Sequence, residues 1–416
     1  INAYALSDGR IVPEVINGTV GHPMPISLIQ ELKSSQGISF ENGVRISKEN
    51  LIEKSNAGSS LLKDSVCEAT NYNILPLSYL PSAVSLKIAR AFTVNPIWLG
   101  WWARMGMLIA YITIVFFAVR IIPYYKNLLM ALALTPTVLY QGASVTHDSI
   151  SIALIFLLFA LVIKFASQDK SISTKQLILF ALVAWLQSCC KQGYAPLFFS
   201  ILCIPITKFN SRIILYSTLC VLALFVWATP FLWDAYLASY KFPRLKFQSD
   251  FYYNGWLSIQ FFMQDPFQFL SNIINNVLGQ GKDWLIGLVG KFGYSYTALP
   301  WGIAFLHLCI LVGISINDGQ GFLQTRWTRL RFLIMGLGAL ALLITAAMLF
   351  RSPVGAERIF GFQGRYLIPL IPFTWPFIFY LPSFKSKIKY FHYLVAIYSI
   401  ALLGYAVFYI ENQFYL

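Results

Sequence analysis

Residues 149–165 read SISIALIFLLFALVIKF, an apolar run with no acid and a single cation, Lys164, close to its end. A helix that crosses the roughly 30 Å hydrocarbon core of a bilayer needs about 20 mostly apolar residues, so this run with a flanking turn is long enough. It is one of many. Runs of the same kind are expected to span at 96–119, 127–143, 177–190, 195–206, 213–232, 300–316, 332–350, 366–381 and 391–410. Several contain proline (Pro136, Pro196, Pro205, Pro369, Pro372, Pro376), which a bundle tolerates when neighbours satisfy the freed carbonyls. The bulk composition agrees: 57% hydrophobic and 12% charged, against about a quarter charged in soluble domains. The fold class is therefore an all-α polytopic membrane protein with about ten transmembrane helices.

Charge fixes an orientation. With residues 1–95 outside, the inside loops carry Arg120/Lys126, Lys164/Lys170/Lys175, Lys208/Arg212, Arg326/Arg329/Arg331 and Lys385/Lys387/Lys389, as the positive-inside rule requires. Part of the net charge of +14 is this loop bias, so no nucleic-acid partner is implied. The organisation follows: a first extracytoplasmic segment 1–95 with a charged amphipathic helix at 81–93 lying at the interface; spans within 96–232; a second extracytoplasmic segment 233–299; spans within 300–416, interrupted by an outer loop at 351–365. The chain opens at Ile1 in a polar stretch, as if a first helix preceded it.

Five of the six cysteines lie in apolar runs and the four histidines are scattered. No disulfide framework, metal cluster or cofactor is expected. No internal repeat is visible, which argues against an inverted-repeat transporter.

The polar chemistry collects on the outer side. Loop 351–365 holds Arg351, Arg358 and Arg365 with one acid, Glu357, and three glycines, Gly355, Gly361 and Gly364. Guanidinium forks suit phosphate and glycine permits close backbone approach, so an anion site is one reading; headgroup contact or pairing with Glu357 is the other. Lys191 beside Tyr194 ends a span, where it binds substrate or simply snorkels. Arg104 falls inside a span, where ionisable residues are functional candidates, though Trp101 and Trp102 also place it near the interface. His147 and Asp148 open the 149–165 span, with Asp148 as helix cap or as a carboxylate at the membrane surface. Asp8 and Glu14 are further acids in the first outer segment, ordinary surface charges when taken singly. Asn17-Gly18-Thr19 fits a glycosylation sequon of the kind that arises by chance. Trp284, Trp301 and Tyr253 serve as sugar-stacking faces or as interface-belt aromatics.

Several segments together resemble a known family. They are 3–10 (AYALSDGR), Tyr79-Leu80-Pro81-Ser82, Ala103-Arg104, 144–148 (SVTHD), Lys191-Gln192-Gly193-Tyr194, 284–293 (WLIGLVGKFG) and, most specifically, 363–369 (QGRYLIP). Their order and spacing are similar to a bacterial membrane-protein family of unknown function related to GT-C-type glycosyltransferases, which use lipid-linked donors. The resemblance implies a GT-C-like fold in the bacterial inner membrane, with the active site facing the periplasm or exterior. It also implies a polyprenyl-phosphate sugar as donor and a cell-envelope glycan or lipid as acceptor. Family members carry an acid just after the first membrane helix, so the resemblance places the main acid upstream of Ile1 and leaves Asp148, Asp8 and Glu14 as second choices. Substrate binding is expected from Arg104, His147, Lys191, Tyr194, Arg351, Arg358, Arg365, Tyr366 and Trp284. A flippase or exporter of a lipid-linked glycan, or a polysaccharide polymerase or ligase, would use the same outer cations.

Overall fold

The structure, a computed structural model, describes residues 1–16, 19–40, 45, 47–56, 65–69, 75–240, 254–293, 297–320, 322, 325–381 and 390–415. The sequon at Asn17, the aromatic Tyr253 and the loop lysines at 385, 387 and 389 lie outside the described residues.

The first segment is not purely helical. Beside α1 (Asn2–Ser7), α2 (Ile26–Phe40), α3 (Lys48–Asn56) and α4 (Leu80–Ala89) it folds an antiparallel sheet, β1 (Glu14–Ile16), β2 (Thr19–Pro25) and β3 (Ser65–Ala69), in the order β1-β2-β3. The sequence reading missed this sheet because its strands are short and the central one, β2, carries a glycine and two prolines. The expected interfacial helix is α4. Its Ser82 and Ser85 hydroxyls donate to the Ala103 and Trp102 carbonyls (2.7 and 2.6 Å) of the next helix. There Gly106 leaves room, since a Cβ would stand 2.6 Å from the Pro81 carbonyl oxygen.

The spans begin with α5 (Pro96–Ile121), capped by Asn95, whose side chain accepts from the Ile97 N–H at 2.9 Å, with proline at the favoured first position. There follow α6 (Lys126–Ala133), α7 (Pro136–Gly142), α8 (His147–Ser167), α9 (Thr174–Cys190), α10 (Arg212–Ala238), α11 (Gly255–Gln264), α12 (Pro266–Gly290), a hairpin of β4 (Lys291–Phe292) and β5 (Thr297–Ala298), α13 (Trp301–Asp318), α14 (Arg326–Phe350), α15 (Ile371–Ile378) and α16 (Phe391–Phe414). Among the described residues six helices are long and apolar enough to cross a membrane: α5, α8, α10, α13, α14 and α16. The chain is thus a multi-pass membrane protein. Helix α8 is mostly buried against its neighbours, while α10 and α16 leave most of their surface exposed.

The other four expected spans are shorter or broken, so six of the expected ten or so are long apolar helices. The stretch 127–143 is split into α6 and α7 at Pro136, because proline has no N–H and clashes with the preceding turn. The stretches 195–206 and 366–381 form 3-10 segments, Gln192–Cys203 and Gly364–Leu370, the second running into α15. Helix α9 has only 17 residues. Side chains supply hydrogen bonds to carbonyls at these breaks: Tyr111 to Ala133 (2.9 Å), Arg329 to Phe377 (3.0 Å) and Tyr194 to Tyr366 (2.9 Å).

The two ends of the bundle differ. At one end Asn127 meets Asp318, Lys208 meets the Gln168 carbonyl, Arg331 meets Leu202 and Arg329 meets Phe377. Four of the five basic loops read from the sequence therefore gather there. The other end holds the termini of α7 and α9, the start of α8 and the turn after α14.

The described part of segment 233–299, read as a loop, is largely helical. Asp265 accepts from the Gln268 N–H (2.9 Å) and Pro266 opens α12. The helix is two-sided: Phe267, Leu270, Ile274 and Leu278 are exposed, while Asn272, Asn276, Trp284 and Gly287 are buried.

Candidate functional site

The start of α8 presents Asp148, whose side chain is only 7% exposed. Oδ1 accepts from Lys191 Nζ at 2.6 Å and lies 3.6 Å from His147 Nε2. Oδ2 stands 3.3 Å from Arg365 Nε. The last contact is an ion pair without hydrogen-bond geometry, since the Arg365 Nε–H makes no hydrogen bond. A buried carboxylate needs such company, because an unpaired charge away from water is costly.

Each cation is delivered by a different element. Lys191 is the C-cap of α9, with Gln187 donating to its carbonyl (3.2 Å). Its ammonium sits 3.7 Å from the centre of the Tyr366 ring and 5.3 Å from that of Tyr194, a cation–π arrangement. Arg365 opens the 3-10 segment after loop 351–365, and its guanidinium lies 5.6 Å from the Tyr366 ring. Sequence candidates His147, Asp148, Lys191, Tyr194, Arg365 and Tyr366 thus come together. Tyr79 joins them from the first segment: its hydroxyl hydrogen-bonds Asn2, it lies in the field of Asp148, and burial raises its pKa.

Loop 351–365 is stapled down. The Ser352 hydroxyl donates to the Ala347 carbonyl and accepts from the Phe360 N–H, both at 3.0 Å. From α12, Asn276 donates to the Glu357 carbonyl (2.7 Å) and accepts from the Ile359 N–H (2.8 Å). Gly361 adopts a left-handed backbone (φ +71°), which suits glycine. Gly364 packs its backbone on Trp284 and Gly287, where any Cβ would collide with the Trp284 carbonyl. Arg351 and Arg358 are exposed, and neither pairs with Glu357 among the described residues. Arg351 lies within electrostatic reach of His147.

Beside this loop is a cavity of about 230 Å³, lined by Asp283, Gly287, Lys291, Gly293, Gly361, Phe362, Gln363, Gly364 and Arg365. Arg365 belongs to both places, lining the cavity and touching Asp148. Asp283 and Lys291 form a close ion pair. From the sequence, Lys291 and Gln363 stand only inside the segments that carry the family resemblance, with no site role, and Asp283 is not named at all. The available signal was the helical spacing of Asn272, Asn276, Gln280, Asp283, Gly287 and Lys291, a polar and glycine face hidden in a segment read as loop.

The remaining candidates sit elsewhere. Arg104 is exposed and its Nε donates to the Ala143 carbonyl (3.3 Å) at the end of α7. Asp8 forms a close ion pair with Arg90, whose guanidinium also covers the Tyr4 ring at 4.8 Å, so Asp8 clamps α1 to α4. Glu14 is an exposed residue of β1. Trp284 is 4% exposed and packs on Phe362 at 4.6 Å, so its ring has no free face for a sugar. Trp301 lies under Lys282 and against Phe305. No group of metal-binding side chains occurs among the described residues.

Residues 1–374 match the family described as Predicted membrane protein (DUF2142). No curated protein and no solved structure matches the chain. The match covers most of the sequence, and the chain belongs to that family.

Proposed function

We propose that this member of the predicted-membrane-protein family is a glycosyltransferase, moving a sugar from a polyprenyl-phosphate carrier to a cell-envelope glycan or lipid on the extracytoplasmic face. The observation that carries the reading is Arg365. Its guanidinium lines a glycine-walled cavity, while its Nε is anchored on buried Asp148. Among the described residues its terminal nitrogens donate to no protein group. Preorganised donors of this kind stabilise charge that develops on a leaving phosphate. Helix α12 holds this loop with one side and exposes an apolar row on the other, which favours an anion carried on a lipid.

Size favours transfer of a single sugar. A cavity of about 230 Å³ is below the roughly 300–1,000 Å³ of pockets for drug-sized molecules. It suits a monosaccharide phosphate head better than the diphosphate oligosaccharide of a polymerase or ligase. In this reading Arg365, which lines the cavity, holds the phosphate. Asp148 is a positioning residue: both of its oxygens face cations, and it is not among the residues that line the cavity.

Purified protein in nanodiscs, supplied with radiolabelled polyprenyl-phosphate sugars, provides the test. Arg365→Ala removes a charge-assisted contact worth about 1.5–3 kcal/mol, and release of the lipid phosphate should slow roughly tenfold to a hundredfold. Equal turnover in both proteins, or none with any lipid-linked sugar, would overturn the assignment.

A further inference from the structure

We infer that Asp283 is the base that takes the acceptor's proton, an inference that rests on the transfer reaction just proposed. Of the described residues lining the cavity, Asp283 is the one carboxylate. Its side chain is 64% exposed, against 7% for Asp148. A general base needs an oxygen within hydrogen-bond reach of the hydroxyl it deprotonates. Asp148 offers none, because Lys191, His147 and Arg365 surround it. Asp283 Oδ1 is held by Lys291, whose own side chain is 13% exposed, and Oδ2 has no partner among the described residues. Asp283 comes from α12, whereas Arg365, Gly361 and Gly364 come from the loop after α14. A substrate in the cavity therefore meets a carboxylate from one element and a guanidinium from another.

The step balances without a further reactant. The acceptor oxygen bonds to the anomeric carbon as its proton passes to Asp283 Oδ2. The bond from that carbon to the lipid phosphate oxygen breaks, and the electron pair leaves with the phosphate. Lys291 links the two events. While Asp283 is ionised, Lys291 is paired with it. Once Asp283 is protonated the ammonium loses its counter-charge, and it then faces a phosphate whose charge has just grown. The proton afterwards passes from Asp283 to water.

The test compares wild type, Asp283→Asn, Asp283→Glu and Arg365→Ala in nanodiscs, measuring retention of a radiolabelled polyprenyl-phosphate sugar separately from sugar transfer to extracted envelope glycan. Asp283→Asn should retain the donor lipid, transfer about 10²- to 10⁴-fold more slowly, and lose the acidic limb of the pH–rate profile; Asp283→Glu should restore part of the rate. Transfer by Asp283→Asn at the wild-type rate with the acidic limb intact, while Arg365→Ala is slow, would sink the role of Asp283 and leave the transferase reading standing. Loss of donor retention together with transfer would make Asp283 a binding residue and not the base. Absence of turnover by the wild type would remove both.

Discussion

Asp148, read from the sequence as a helix cap or a catalytic carboxylate, stands in the structure between cations. The carboxylate holds Lys191 and Arg365 on the segments that deliver them. Removing one member of a buried ion pair strands the other, at about 3–5 kcal/mol. Lys191→Met is expected near the lower end of that range, because Arg365 still faces the carboxylate. Asp148→Asn should be worse, since two cations lose their counter-charge. The double variant should be less destabilised than the sum of the singles; unfolding midpoints in detergent measure the cycle, and simple additivity would mean the three residues do not act together. The identities of Asp148, Lys191 and Arg365 as candidates were legible from residue type and position at span ends. Their mutual contact was not, because nothing local links residues so far apart in the chain.

At the scale of elements, α12 does the most to build the site. One side carries exposed apolar residues and the other carries the amides that staple loop 351–365. The sequence reading missed this helix because its composition is neither apolar enough for a span nor charged enough for an ordinary surface helix. Asn276→Ala would leave the Ile359 N–H and the Glu357 carbonyl without their partners, a cost of about 1–3 kcal/mol for a group left buried. The expected consequence is local: faster trypsin cleavage after Arg351 and Arg358 with little change in global unfolding. An unchanged cleavage rate would show that Asn276 is not what holds the loop. The proline-broken segments are also element-scale features. Composition marked them as spans, but only the hydrogen bonds from Tyr111, Arg329 and Tyr194 show how the interrupted helices are tolerated.

For the molecule as a whole, the positive-inside argument predicts which end of the bundle faces the cytoplasm, and the fold supplies the grouping on which a test depends. In a cysteine-free background, Glu357→Cys should react with a membrane-impermeant maleimide in intact cells, and Lys170→Cys only after permeabilisation. The reverse pattern would place the arginine loop in the cytoplasm, away from any extracytoplasmic lipid-linked donor, and would end the transferase proposal.

The sequence by itself determined that the chain is a multi-pass membrane protein, where its principal spans lie, and that its basic loops alternate along the chain. These are sums over neighbouring residues, since transfer of apolar surface and the cost of charge depend on composition within a window of about one helix. Tertiary structure alone decided that α8 is mostly buried, that Asp148 is neutralised by cations from two distant segments, and that Asp283, Lys291 and Gln363 wall a cavity with Arg365. Those outcomes depend on which helix faces meet, and such contacts are set by packing between residues that no local window contains.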